Sequence, residues 1–183
     1  MILKFLEHSN VLKMLDLWMN ILHGTIPATF AKVNTFRNIN LNGNQLEGLL
    51  LQSLANYRNL KVLDLGSNKI NGTFPYWLEG LLKLQVLAIR SKSLQGFIGN
   101  PKTKSPFPNL RIVGISNNDF WKSWQMWIKE KLLWNIWESS IIKILNIMII
   151  GLHVELVTIK TIFTTLDFLN NSFTVDSRDN WNA

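Results

Sequence analysis

The chain has no cysteine among its 183 residues. That excludes disulfide cross-links and thiolate metal sites, so stability must come from packing and hydrogen bonding. Histidine is nearly as scarce, and His8, His23 and His153 fall on separate stretches. His153-Val154-Glu155 matches half of a zinc-deaminase signature, but the cysteine ligands that complete such a site are missing. There is no phosphate-cradling glycine loop, kinase motif or nucleophile elbow. No catalytic residue, metal site or cofactor is therefore expected, and the chain does not read as an enzyme. Long apolar runs are lacking too. The longest, 141–152, contains Lys143 and Asn146 and falls short of the ~20 residues that span a bilayer. Residues 1–11 are short for a secretory signal and turn polar at Glu7. The chain thus shows no signal peptide or anchor of its own. Acids are absent between Glu79 and Asp119, where Lys83, Arg90, Lys92, Lys102, Lys104 and Arg111 stand, in a chain of net charge +7. This basic surface reads either as solvated turns or as a docking patch for an acidic peptide or partner. Its cations are not interleaved with aromatics, so nucleic acid is not an expected partner.

What is present is a period. Leu12, Leu15, Leu17, Asn20 and Leu22 recur 24 residues later as Phe36, Ile39, Leu41, Asn44 and Leu46. They recur again as Leu60, Leu63, Leu65, Asn68 and Ile70, then as Leu84, Leu87, Ile89, Lys92 and Leu94. After a 26-residue step come Leu110, Val113, Ile115, Asn118 and Phe120, and a displaced copy is Phe163, Leu166, Phe168, Asn171 and Phe173. A fixed period of this length predicts a solenoid. The apolar-x-apolar pair of each unit suits a short strand with one buried face. The asparagine that follows can bond the backbone of neighbouring turns, so Asn20, Asn44, Asn68 and Asn118 should form a ladder. One unit cannot bury its apolar edge alone, and stacking should give a curved parallel sheet.

The second half of each unit, as in Leu22-His23-Gly24-Thr25-Ile26-Pro27 and Ile70-Asn71-Gly72-Thr73-Phe74-Pro75, reads Leu-x-Gly-x-Ile-Pro. Glycine permits a left-handed backbone there and proline ends the extended piece. The full line resembles the plant extracellular leucine-rich repeat. Residues 60–120 resemble the last repeats before the non-repeat island of plant receptor-like proteins of the disease-resistance type. "GLHVELVTIKTIFTTLDFLNNSF" resembles the resumption of repeats after that island. The expected fold is an α/β-type repeat: a leucine-rich-repeat solenoid of the plant extracellular subtype with a helical non-repeat insertion. The expected divisions are a partial leading repeat (1–11), repeats (12–120), an aperiodic, Trp-rich insertion (121–161), and an isolated further repeat with a tail (162–183).

The pattern is broken in four places. Lys92 replaces a ladder asparagine, which should leave backbone partners unpaired at about 1–3 kcal/mol. Leu51 stands where proline is expected, and Gly114 lies inside a strand, at about 0.5–1 kcal/mol. The fourth break is the insertion, where Trp134, Trp137, Ile141, Leu145 and Met148 follow a helical spacing. It reads as an amphipathic helix over the solenoid end, a membrane-surface segment, or a degenerated or frame-shifted island.

A concave sheet presents the x positions of each strand as a recognition surface. The expected ligand-binding residues are Asp16, Trp18, Asn40, Asn42, Asp64, Ser67, Arg90 and Ser116, flanked by Met19, Ala88, Ser91 and Asn117. Trp18 and Arg90 are the expected anchors, because aromatic and arginine side chains dominate binding energy. Asp16, Asp64 and Asp167 hold one strand position in different units, so they form a row rather than a catalytic pair. Asn71 and Asn170 begin glycosylation sequons. The resemblance implies a peptide or protein ligand, a receptor-kinase partner, a location on the extracellular side of the cell membrane, and a role in plant defence or cell-surface signalling. The alternatives are a truncated, non-functional receptor fragment and a secreted inhibitor of a cell-wall hydrolase.

Overall fold

The structure, a computed structural model, describes residues 11–28, 35–91, 93–98, 106–121, 145–149, 152–156, 165–167 and 170–172. Each apolar-x-apolar unit opens on a three-residue strand. With strands numbered in chain order, β1 (Met14–Asp16), β3 (Asn38–Asn40), β5 (Val62–Asp64), β7 (Val86–Ala88), β9 (Ile112–Gly114) and β13 (Thr165–Asp167) form one six-stranded parallel sheet. Its register is in phase with the sequence period: Leu15 pairs with Ile39, Ile39 with Leu63, Leu63 with Leu87, and Leu87 with Val113. The central residues of the first five strands are buried. Each such side chain contributes roughly 1.5–3 kcal/mol of apolar burial.

The glycine half of the unit forms a second row of short strands. β2 (His23–Thr25), β4 (Gln45–Leu49) and β6 (Lys69–Asn71) are parallel, as are β8 (Gln95–Phe97) and β10 (Asp119–Trp121). Gly48 shows why the position needs glycine. Its φ is +81°, and a Cβ there would meet Thr25 Cγ2 at 2.9 Å in the preceding turn. The return segments are 3-10 turns, Gln52–Asn56 and Tyr76–Gly80, rather than α-helices. Phe36, Tyr57, Phe74, Phe107 and Phe120 fill the space between the two strand rows and these turns, with edge-to-face contacts such as Phe74–Phe120 at 6.0 Å.

The asparagine ladder runs backwards along the chain. The Asn68 amide donates to its own turn at Leu65 O and Gly66 O and to the preceding turn at Leu41 O, while Oδ1 accepts from Leu46 N. Asn44 and Asn118 repeat this arrangement. Lys92, which stands where the sequence expects a ladder asparagine, lies outside the described residues. Next to it the buried Ser91 hydroxyl makes a different link to the preceding turn, donating to Ile70 O at 2.7 Å and Asn68 O at 3.3 Å.

Two findings concern the insertion. Most of the expected helix lies outside the described residues, but its end differs from expectation. Leu145–Ile149 is strand β11, antiparallel to β12 (Leu152–Leu156). The β-branched Ile147 and Ile149 and the short, Gly151-containing spacer suit a hairpin better than a helix. The repeat beyond the insertion, expected to stand apart, takes the sixth place in the sheet. Thr165–Asp167 pairs in register with Ile112–Gly114, Asn171 donates to Ile115 O, and Phe120 N donates to Asn171 Oδ1.

Candidate ligand-binding face

The concave sheet displays two strand positions, and the register lines them into rows. The last residue of each strand gives Asp16, Asn40, Asp64, Ala88, Gly114 and Asp167 in consecutive turns. The carboxylates and amides at the start of this row are partly spent on their own turns. Asp16 Oδ1 accepts from Trp18 N, Asn40 Oδ1 from Asn42 N, and Asp64 Oδ1 from Gly66 N. Asn42 also donates to Asp64 Oδ1 at 3.0 Å, linking two turns. Trp18 (58% exposed) and Met19 project from the turn after β1, the latter with φ of 52°.

At the other end of the row the side chains converge. Ala88 and Gly114, paired across β7 and β9, leave a shallow notch. Arg90 lies over it: a Cβ added to Gly114 would meet Arg90 Nε at 3.3 Å. The guanidinium thereby crosses one strand and brings Nη1 to 3.6 Å from Asp167 Oδ2. Ser116 Oγ donates to the same carboxylate oxygen at 2.7 Å, and Asn170 Nδ2 donates to Asn117 Oδ1 at 2.8 Å. Together with Asn42, Ser67, Asn68 and Ser91 they line a hollow of about 650 Å³. It is polar, open and two-signed: it holds a cation, a carboxylate, several amides and hydroxyls.

Of the residues expected from sequence, Asn42, Ser67, Arg90 and Ser116 share this hollow, whereas Asp16, Trp18, Asn40 and Asp64 lie outside its lining. Ser116 is 3% exposed and positions Asp167 rather than offering a free hydroxyl. Ala88 and Ser91 are also buried. The two sequons separate. Asn71 is exposed at the end of β6, on the second strand row, while Asn170 borders the hollow. His23 lies on β2 with Nδ1 3.3 Å from Ile21 O. Among the described residues no three His, Cys, Asp or Glu side chains cluster to hold a metal, and no helix is long and apolar enough to cross a membrane.

Of one aligned row, the charges of Lys13, Arg37 and Lys61 were missed from sequence, and only Arg111 was singled out there. Lys13, Arg37, Lys61, Gln85 and Arg111 immediately precede five consecutive strands, and their backbones are bonded turn to turn. They recur with the period, but a search for runs along the chain passes over them.

The comparisons agree with this geometry. The family described as Leucine Rich Repeat matches residues 59–81. No curated protein matches the chain. Among solved structures, it is similar to the Arabidopsis receptor kinase HAESA in complex with the peptide hormone IDA and the co-receptor SERK1. That match has 27% identity and a TM-score of 0.70, covering 93% of this chain and 24% of the other. The plant peptide hormone receptor RGFR1 in complex with RGF2 is 22% identical with a TM-score of 0.67, covering 92% of this chain and 22% of that one. PEPR1 with AtPEP1 is 24% identical with a TM-score of 0.66, covering 92% and 23%. The chain thus spans about a quarter of the length of these structures.

Proposed function

We propose that this leucine-rich-repeat chain, similar in fold and repeat type to plant receptor ectodomains, binds a peptide or protein ligand on its concave face and serves cell-surface signalling on the extracellular side of the membrane. The observation that carries the reading is the two-signed hollow around Arg90 and Asp167, on the face where the turns align their variable residues. Polar groups held in place there can exchange their bonds for those of an extended peptide, whose backbone and side chains offer both donors and acceptors. Trp18 provides an apolar contact at the other end of the same face. Asp16, Asn40 and Asp64 provide the register between them.

Plant defence is the specific setting we propose, with a receptor-kinase partner carrying the signal onward. The peptide complexes of HAESA, RGFR1 and PEPR1 support the ligand class for those proteins. Asn71, exposed on the second strand row, is the sequon best placed to carry a glycan without covering the concave face.

The test is a display library of secreted plant peptides selected against the full chain. Enriched peptides should bind the unaltered chain and lose at least roughly tenfold in affinity on Trp18→Ala or Arg90→Ala, the scale of an anchor residue. Peptides that bind both variants as tightly as the unaltered chain would place the ligand elsewhere. Intact-mass analysis of the chain secreted from plant cells would show glycan on Asn71, removable by Asn71→Gln.

A further inference from the structure

The two 3-10 turns enclose a site that the concave face does not use. Gln52–Asn56 and Tyr76–Gly80 are closed by the same bond one period apart, Tyr57 N to Leu54 O and Leu81 N to Leu78 O. The residues around the two turns therefore stand side by side. Ala55, Arg58, Asn59, Trp77, Leu82 and Lys83 line a hollow of about 530 Å³. That volume lies within the ~300–1,000 Å³ range of small-molecule sites.

The walls are held in place by the protein's own bonds. Arg58 N donates to Asn56 O at 2.8 Å, and Lys83 Nζ donates to Asn59 Oδ1 at 2.8 Å. From the next unit, Asn109 Nδ2 donates to Leu82 O at 2.7 Å. Trp77 is half-buried and packs against the core, so its indole is fixed where it borders the hollow. Gly80 completes the lining, and a Cβ there would meet nothing within 4 Å.

The lining selects by charge and by shape. Among the described residues, Arg58 and Lys83 are its ionisable members. Glu79, the acid of the second turn, is buried and outside the lining. The hollow therefore favours an anion. A planar guanidinium fork matches the two oxygens of a carboxylate, and the Lys83 ammonium adds a second cationic donor. The Trp77 indole and the exposed Leu82 side chain offer apolar surface against which a flat ring can lie. An inorganic anion would leave that apolar surface wet, and an uncharged ring would leave the two cations unanswered. The hollow spans only two turns, so it suits a compact molecule rather than a polymer laid along the solenoid.

We propose that this hollow binds a small planar aromatic carboxylate, its carboxylate between Arg58 and Lys83 and its ring against Trp77 and Leu82. The site lies on the 3-10 turns rather than on the sheet. It does not depend on what the Arg90–Asp167 hollow binds.

The test is equilibrium dialysis of the full chain against the fluorescent probe 2-naphthoate. The probe should bind saturably. The uncharged analogue 2-naphthalenemethanol and the ring-free anion acetate should each bind at least about fivefold more weakly. Arg58→Gln and Lys83→Gln should each weaken 2-naphthoate by a factor of roughly 2–10, since both side chains are exposed. Trp77→Leu should weaken it by a similar factor. Lys61→Gln and Arg90→Ala, which remove the same charge elsewhere, should leave binding unchanged. Matching melting curves would show that the variants fold, and the two exposed substitutions keep the test decisive should Trp77→Leu melt early. The proposal is overturned if 2-naphthoate does not bind, or if the alcohol or acetate binds as tightly. It is also overturned if 2-naphthalenesulfonate, of equal charge but without a planar anion, binds more tightly, or if Lys61→Gln costs as much as Lys83→Gln.

Discussion

Arg90 lies across Gly114 and meets Asp167, so a cation on β7's turn is joined to a carboxylate two strands away, on the far side of the insertion. Glycine at 114 is what allows it. Read from sequence, that glycine is a weak point in a strand. In the structure it is the space occupied by the arginine side chain.

Substitution at Gly114 tests this relationship. Gly114→Val should displace Arg90, because even a Cβ would press on Nε at 3.3 Å, and β-branching adds bulk. Only a small stability change is expected from the ion pair, about 0.2–1 kcal/mol, since both partners are partly exposed. Asp167→Asn should lose the same amount in low salt and less in high salt. Urea melts of the two variants at two salt concentrations check both points.

The ladder should be far more sensitive. Asn68 is buried, and Asn68→Ala would take the amide from Leu46 N and Leu65 O, whereas Leu41 O keeps Asn44 Nδ2 and Gly66 O keeps Gly43 N. At about 1–3 kcal/mol for each buried group left without a partner, a loss of at least ~2 kcal/mol is expected. Asn20 makes the same bonds within its turn but is exposed, so Asn20→Ala should cost under about 1 kcal/mol because water replaces the amide. Equal losses in the two variants would show that the ladder is not held by burial.

This contrast shows what the sequence makes legible. The strand positions, the register and the ladder all follow from the 24-residue period, because each turn solves the same packing problem. Arg90–Asp167 does not follow from it. The two residues are separated by the aperiodic stretch, and their contact depends on β13 rejoining the sheet. Ser91 was hidden differently, because its buried hydroxyl finds Asn68 O and Ile70 O only once two turns are stacked. The residues that precede the strands, Lys13, Arg37 and Lys61 among them, recur with the period, but charge was read along the chain rather than across it.

Alkaline pH should destabilise the fold through Tyr57. Its ring is fully buried and packs edge-to-face on Phe36 at 6.0 Å. Burial pushes its hydroxyl well above the usual tyrosine range. The folded state therefore holds the proton more tightly than the unfolded chain. The resulting stability is fully present below the unfolded value of about 10 and is lost as pH rises beyond it. Tyr57→Phe should flatten the fall in stability above about pH 10, as measured by denaturant midpoints across that range.

Leu51 offers a stabilising change. It precedes the 3-10 turn with φ of −80° and ψ of 135°, within the range of a proline ring. Leu51→Pro restores the residue found at Pro27 and Pro75. It should add about 0.4–1 kcal/mol by restricting the unfolded chain, visible as a raised denaturant midpoint with unchanged slope.

The in-register return of β13 also bears on the order of assembly. Asn68 reaches back 27 residues to Leu41, whereas Asn171 reaches back 56 to Ile115. Doubling the loop adds only about 0.6 kcal/mol of closure entropy, so the last turn is affordable. It is nevertheless the one junction that cannot simply zip on from its neighbour. Folding should run turn by turn to Phe120 and then wait for a distant segment to come home. Amide exchange should find that same seam the first to open.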